Sequence, residues 1–230
     1  MKRIITLGLA MMLALVVSAQ NNVTQFLGIP VNGTKTAMMQ KLKTKGFTYN
    51  TRLDCLEGEF NGRDVQLHIV TNNNKVWRIV VTNVYPTRNE VDIRIRFNTL
   101  CSQFSKNSKY LPANLTGEYE ISEDEDISVQ MSLYNKRYEA AYYQVSEADK
   151  DTAELQKWAL DKLNKKYSEN ERENMSEEDI QQVMLGFVLE YFSEKLAKKS
   201  VWFMITEQYG RYSITMYYDN EYNHSNGEDL

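Results

Sequence analysis

Residues 53–82 hold three strand-like runs with almost no chain between them, and this spacing limits the fold more than any other feature of the sequence. Asn61-Gly62 joins the first run to the second. Both residues tolerate positive φ, as a type I′ turn requires, and the twist of that turn suits a β-hairpin. Thr71-Asn72-Asn73-Asn74-Lys75 joins the second run to the third. Links this short connect antiparallel strands, because a parallel pair needs a crossover of about a dozen residues. Within 64–70 the apolar residues Val65, Leu67 and Ile69 alternate onto one face, and 76–82 is rich in Val, Ile and Trp. His68, one of only 2 histidines, falls on the polar side of its strand.

Helical signals bracket this meander. A helix is predicted over 34–45, with Thr34 as N-cap, Gly46 as the stop and Ala37, Met38 and Leu42 facing inward. Thr87-Arg88-Asn89-Glu90 reads as a capping box in which Glu90 returns to the Thr87 amide, opening a helix that runs to about residue 106. Ile93, Phe97, Leu100, Cys101 and Phe104 form its core stripe. A second meander is predicted over 117–122, 127–133 and 137–145. Its acidic turn, Glu123-Asp124-Glu125-Asp126, reads as a solvated hairpin tip or as a cation site, although it lacks the glycine of an EF-hand loop.

Leu155, Ala159, Leu163 and Tyr167 recur every four residues and predict a helix over 151–167, with Trp158 beside them. A polar connector over 168–174 follows. Ser176-Glu177-Glu178-Asp179 caps a helix expected to reach about residue 199, whose apolar face runs from Ile180 to Tyr191. Acids at its start and Lys195, Lys198 and Lys199 at its end suit the helix dipole. The last hairpin pairs 201–207 with 211–218 around Tyr209-Gly210, and places Tyr212, Ile214, Met216 and Tyr218 on one face.

The expected order is α-βββ-α-βββ-α-α-ββ, without the βαβ rhythm of a parallel sheet. The class is therefore α+β, with antiparallel meanders covered on one side by helices. The two α-βββ units share spacing and read as internal copies, followed by a C-terminal ααββ unit. The chain divides into 1–19, 20–146 and 147–230, the last two packing as one globular unit.

Residues 1–19 read as a leader. Lys2 and Arg3 precede an apolar run from Ile4 to Val17, shorter than the ~20 residues that cross a bilayer. Val17-Ser18-Ala19 offers small residues for cleavage near Ala19, and no lipoprotein cysteine follows. The processed chain is expected in the periplasm or outside the cell, with no membrane span. A net charge of -4 supplies no basic footprint for nucleic acid.

Cys55 and Cys101 are the only 2 cysteines. An oxidising compartment permits a bridge between them, and two buried thiols fit the sequence as well. Gly-x-Ser-x-Gly, phosphate loops, Cys-x-x-Cys and His-Glu-x-x-His are all absent, so no cofactor, resident metal or nucleophile is implied. Asp219, Glu221 and Asn223 alternate like oxygen ligands, but His224 stands where a calcium loop has glycine. A glycan hydrolase built on two carboxylates stays open as an alternative, as does a small-ligand or cation-binding module.

Aromatics are the one excess, with 15 Tyr and 3 Trp. Trp202, Tyr212, Tyr217, Tyr218 and Tyr222 cluster near the C-terminus and are the candidate contact residues. Exposed Tyr and Trp give amphipathic contact area at low entropy cost.

Phe26-Leu-Gly-Ile-Pro-Val-Asn-Gly-Thr-Lys-Thr, Lys45-Gly-Phe47, Leu56-Glu-Gly-Glu-Phe60, Val76-Trp-Arg-Ile-Val80 and Ile214-Thr-Met-Tyr-Tyr-Asp-Asn220 together resemble uncharacterised exported proteins of Bacteroides-type bacteria. Residues 26–82 also resemble the beta-lactamase inhibitor protein and the small lipoproteins of outer-membrane assembly, which set a helix before an antiparallel meander. The expectation is a non-catalytic envelope protein that grips a protein or glycan through an uncovered sheet face.

Overall fold

The computed structural model describes residues 22–114, 116–146, 149 and 152–224. The expected leader, 1–19, lies outside them. A two-stranded ribbon, β1 (Gln25–Phe26) and β2 (Ile29–Pro30), precedes helix α1 (Lys35–Lys43). The strands β3 (Thr48–Asn50), β4 (Cys55–Phe60), β5 (Arg63–Asn72) and β6 (Lys75–Asn83) follow without interruption. Helix α2 (Glu90–Ser105) leads to β7 (Tyr110–Pro112), helix α3 (Ile127–Tyr134) and β8 (Glu139–Gln144). Helices α4 (Thr152–Lys166), α5 (Glu169–Glu173) and α6 (Glu177–Leu196) come next, then β9 (Ser200–Gln208) and β10 (Arg211–Asp219). A 3-10 turn at Glu221–Asn223 closes the described chain.

Eight strands form one antiparallel sheet in the order β3-β4-β5-β6-β10-β9-β8-β7. The order reads as two units joined in the middle: α1 with β3 to β6, and α2 with β7 to β10. The β6–β10 seam is antiparallel, with Tyr217 opposite Val80 and Asp219 opposite Arg78. Each unit is one helix and four strands, which differs from the expected pair of α-βββ units followed by a separate ααββ unit. The strands of 147–230 complete the second copy, sitting at the centre and not in a unit apart. Both central residues are left-handed in each of three tight turns: Asn61 and Gly62, Asn73 and Asn74, and Tyr209 and Gly210.

Helices α1 and α2 cover one face. Met38 and Leu42 of α1, and Ile93, Phe97, Leu100, Cys101 and Phe104 of α2, pack on Val65, Leu67, Ile79, Val81, Ile214, Phe203 and Tyr142. Phe97 and Phe104 both meet the Phe203 ring, at 5.2 and 5.5 Å between centroids. A bulge sets the register on the other side of β5. Val70 pairs with Arg78 and Thr71 with Val76, so Trp77 is an extra residue and both Val76 and Ile79 stay in the core.

Several expectations give way to local chemistry. The 127–133 segment is helix, not strand. Asp126 caps it by accepting from the Val129 amide, and Asn135 ends it in the left-handed conformation. The 117–122 segment forms no strand; Ile121 is held instead by reciprocal bonds between its backbone and the Asn98 amide, both 2.8 Å. The N-cap of α2 is Asn89 rather than Thr87, and Glu90 accepts from the Ser128 amide on α3 rather than from Thr87. Residues 168–174 are not a bare connector but carry α5, opened by a Ser168–Glu171 capping box. Ala37 turns outward on α1. Cys55 and Cys101 are free and buried, not bridged. Burial pushes both thiols up, that of Cys101 to about 12.

Helices α4 and α6 pair with one another and bury Ala159, Leu163 and Phe187 in a cluster separate from the sheet core. At the base of this excursion Lys199 and Asp149 form a fully buried ion pair, and Lys199 also donates to Asn22 Oδ1 at 2.9 Å. No helix among the described residues is long and apolar enough to cross a membrane.

Candidate binding surface on the open face of the sheet

Strand alternation decides what the face away from α1 and α2 presents. The registers align two rows across it. One runs Glu57, Gln66, Thr82, Thr215, Met204, Glu139. The next runs His68, Val80, Tyr217, Trp202, Ala141. Most of these side chains are half-buried by their neighbours within the sheet.

An aromatic and charged cluster stands at one end of these rows. Trp202 and Tyr217, directly opposed on β9 and β10, stack at 3.9 Å and 15°. The Arg78 guanidinium lies 4.2 Å from the Trp77 ring, 4.9 Å from Tyr217 and 5.6 Å from Trp202. Arg78 also donates twice to Asp219, from Nε at 2.6 Å and from Nη2 at 2.7 Å, and Trp202 Nε1 donates to the same carboxylate at 2.9 Å. Asp219 is 1% exposed, so its charge is held by a bidentate pair and an indole rather than by water. Burial pushes the Tyr217 phenol up, with Arg78 pulling against it and Asp219 adding to it.

The 3-10 turn braces this end of the sheet. Asn220 donates to Val31 O at 2.7 Å, and Asn223 donates to Val76 O at 2.8 Å and to Asn32 Oδ1 at 2.9 Å. The His224 ring rests 4.4 Å from Trp77. Residues 219–224 therefore act as a clamp on β6. Three of the four acids of the 123–126 turn are engaged as well. Asp124 accepts from Ser122, Glu125 from Lys136 and Tyr138, and Asp126 caps α3. Among the described residues no group of three or more His, Cys, Asp or Glu is placed to hold a metal ion.

Of the five candidate contact residues, the structure brings Trp202 and Tyr217 together on the open face. Tyr212 and Tyr218 lie on the helix side, 5% and 4% exposed, which corrects their reading as surface contacts. The reason is the two-residue period of β10, which sends Tyr217 and Tyr218 to opposite faces. Tyr222 stands apart on the 3-10 turn, half exposed, with Lys198 Nζ 4.8 Å from its ring. Arg78 and Trp77 belong to the cluster although the sequence pattern did not single them out. Their signal was the Trp-Arg pair in β6, which acquires meaning only once β10 is known to lie beside it.

No family model matches the chain, and no curated protein or solved structure is similar enough to it to count as a relative.

Proposed function

We propose that this chain is an exported, non-catalytic binding protein of a bacterial envelope, and that it holds a protein partner on the open face of its sheet. The carrying observation is the Trp202–Tyr217–Arg78 cluster beside half-buried Met204 and Val80. Trp, Tyr and Arg are the residue types that dominate protein interfaces. A protein is favoured over a glycan because a sugar stacks on a free ring face. Here the rings already stack on each other, with the Arg78 guanidinium over both. Export rests on the leader pattern of residues 1–19 and on the resemblance to exported proteins of Bacteroides-type bacteria.

Binding is favoured over carboxylate hydrolysis by the carboxyl groups themselves. The carboxyls of Asp54, Asp124, Glu125, Asp149 and Glu171 are each drawn below their ordinary pKa by hydrogen-bond donors. A glycosidase acid needs the opposite shift.

The test immobilises the wild-type chain, Met204→Lys on the open face and Leu185→Lys on the exposed side of α6, and compares the envelope proteins each retains. The reading expects Met204→Lys to lose a partner that Leu185→Lys keeps. Equal retention by all three baits, or retention of glycans alone, overturns it.

A further inference from the structure

A second concave feature lies on the helix side, away from the aromatic cluster. It is a cavity of about 440 Å³ at the end of the sheet, between α2 and the starts of β5 and β10. Arg63 and Arg96 line it together with Asp92, Ile93, Thr87 and Tyr212. Its rim is fixed by a β-bridge, in which the Thr87 and Tyr212 amides donate to each other's carbonyl at 2.9 and 2.7 Å. Arg96 is braced from outside, where its Nη2 donates to the Asn61 carbonyl at 3.4 Å.

Two features of the arginines point to an anion. Arg96 Nε is buried and has no hydrogen-bond partner. A buried unsatisfied donor carries the full penalty of its lost hydration, and the penalty is larger on a charged group. In addition, neither guanidinium has a carboxylate within ion-pair distance among the described residues. Burial, and then the neighbouring charge of Arg63, both draw protons away from Arg96. Two like charges thus share one cavity wall.

We propose that this cavity is a binding site for a singly charged carboxylate with an apolar body. The two guanidiniums donate charge-assisted hydrogen bonds to the carboxylate oxygens. Asp92, which accepts a 3.4 Å bond from Thr87 Oγ1, offsets one of the two positive charges. The walls then carry one net positive charge, which matches a monoanion better than a phosphate dianion. Tyr85 and Ile95, both exposed at the cavity, supply apolar surface for the remainder of the ligand.

The experiment titrates the full chain with butyrate, inorganic phosphate and chloride at equal ionic strength, following the arginine Nε–H resonances by NMR. Butyrate should move the Arg96 Nε–H signal saturably and should raise Tm by about 3–6 °C at ten times its Kd. Arg63 is exposed, so Arg63→Gln should leave the fold intact and weaken butyrate at least tenfold. The proposal is overturned if butyrate shifts the signal no more than chloride does, if phosphate binds more tightly than butyrate, or if Arg63→Gln binds butyrate unchanged.

Discussion

The two halves of the sheet are built from the same parts and differ in what joins them. In the first half β3 to β6 run on through turns of a few residues. In the second, α3 separates β7 from β8, and the whole α4–α6 excursion separates β8 from β9. Both halves nevertheless end in the same arrangement, a helix over four antiparallel strands. Gln144 N still donates to Lys199 O at 2.9 Å, so the ladder resumes as soon as the excursion ends. Strand pairing and the shared core define this fold, and the connections are free to grow provided that they bury their own apolar residues. The excursion does so through Ala159, Leu163 and Phe187.

Core truncations test whether the halves are one cooperative body. Phe203→Ala in the second half should cost about 3–5 kcal/mol, and Leu67→Ala in the first about 2–5 kcal/mol. Both should lower one and the same thermal transition by calorimetry, because both side chains are fully buried in a single cluster. Separate transitions for the two halves would break the comparison.

The buried pair at the base of the excursion should have the next largest effect. Asp149→Ala removes the carboxylate that faces Lys199, at a cost of about 3 kcal/mol. Burial acts to raise the Asp149 pKa, but hydrogen bonds from Lys199 and from the amide and hydroxyl of Ser146 outweigh it, and the folded value is lowered. The stabilisation is therefore complete above the unfolded carboxyl value of about 3.9 and is lost as pH falls through the lower folded value. Urea unfolding midpoints of wild type and Asp149→Ala should converge only in strong acid.

The smallest effect on the sheet should come from Phe187→Ala in the α4–α6 pair. Hydrogen exchange should quicken through α6 while the main transition moves by about 1 °C or less, since local units open independently of the global one. A large shift of the main transition would mean that the excursion is part of the sheet's core.

Much of the fold was legible in the sequence. Asn61-Gly62 and the alternation of Val65, Leu67 and Ile69 locate the first hairpin, and the five-residue stripe of α2 locates its covering helix. The failure at 127–133 has a clear cause. Ile127, Val129, Met131 and Leu133 alternate as a strand would, and eight helical residues are too few for the 3.6-residue period to overrule them. Only Ile127 is buried there, so the pattern reflects no shared buried face. The candidate site was half legible. Trp202 and Tyr217 could be named from composition, but Arg78 joins them only through a strand pairing across more than a hundred residues. Arg96 was hidden because an arginine beside a core stripe reads as an ordinary solvated residue.

Strand β10 is made after all the others, yet its place is in the middle. Until it arrives, β6 presents a bare ladder edge, and the two copies have no common seam. Synthesis supplies the keystone later than any other described strand, so assembly is expected to be slow and dominated by contacts distant in sequence. A chaperone that shields the waiting edge would serve this chain best in that interval.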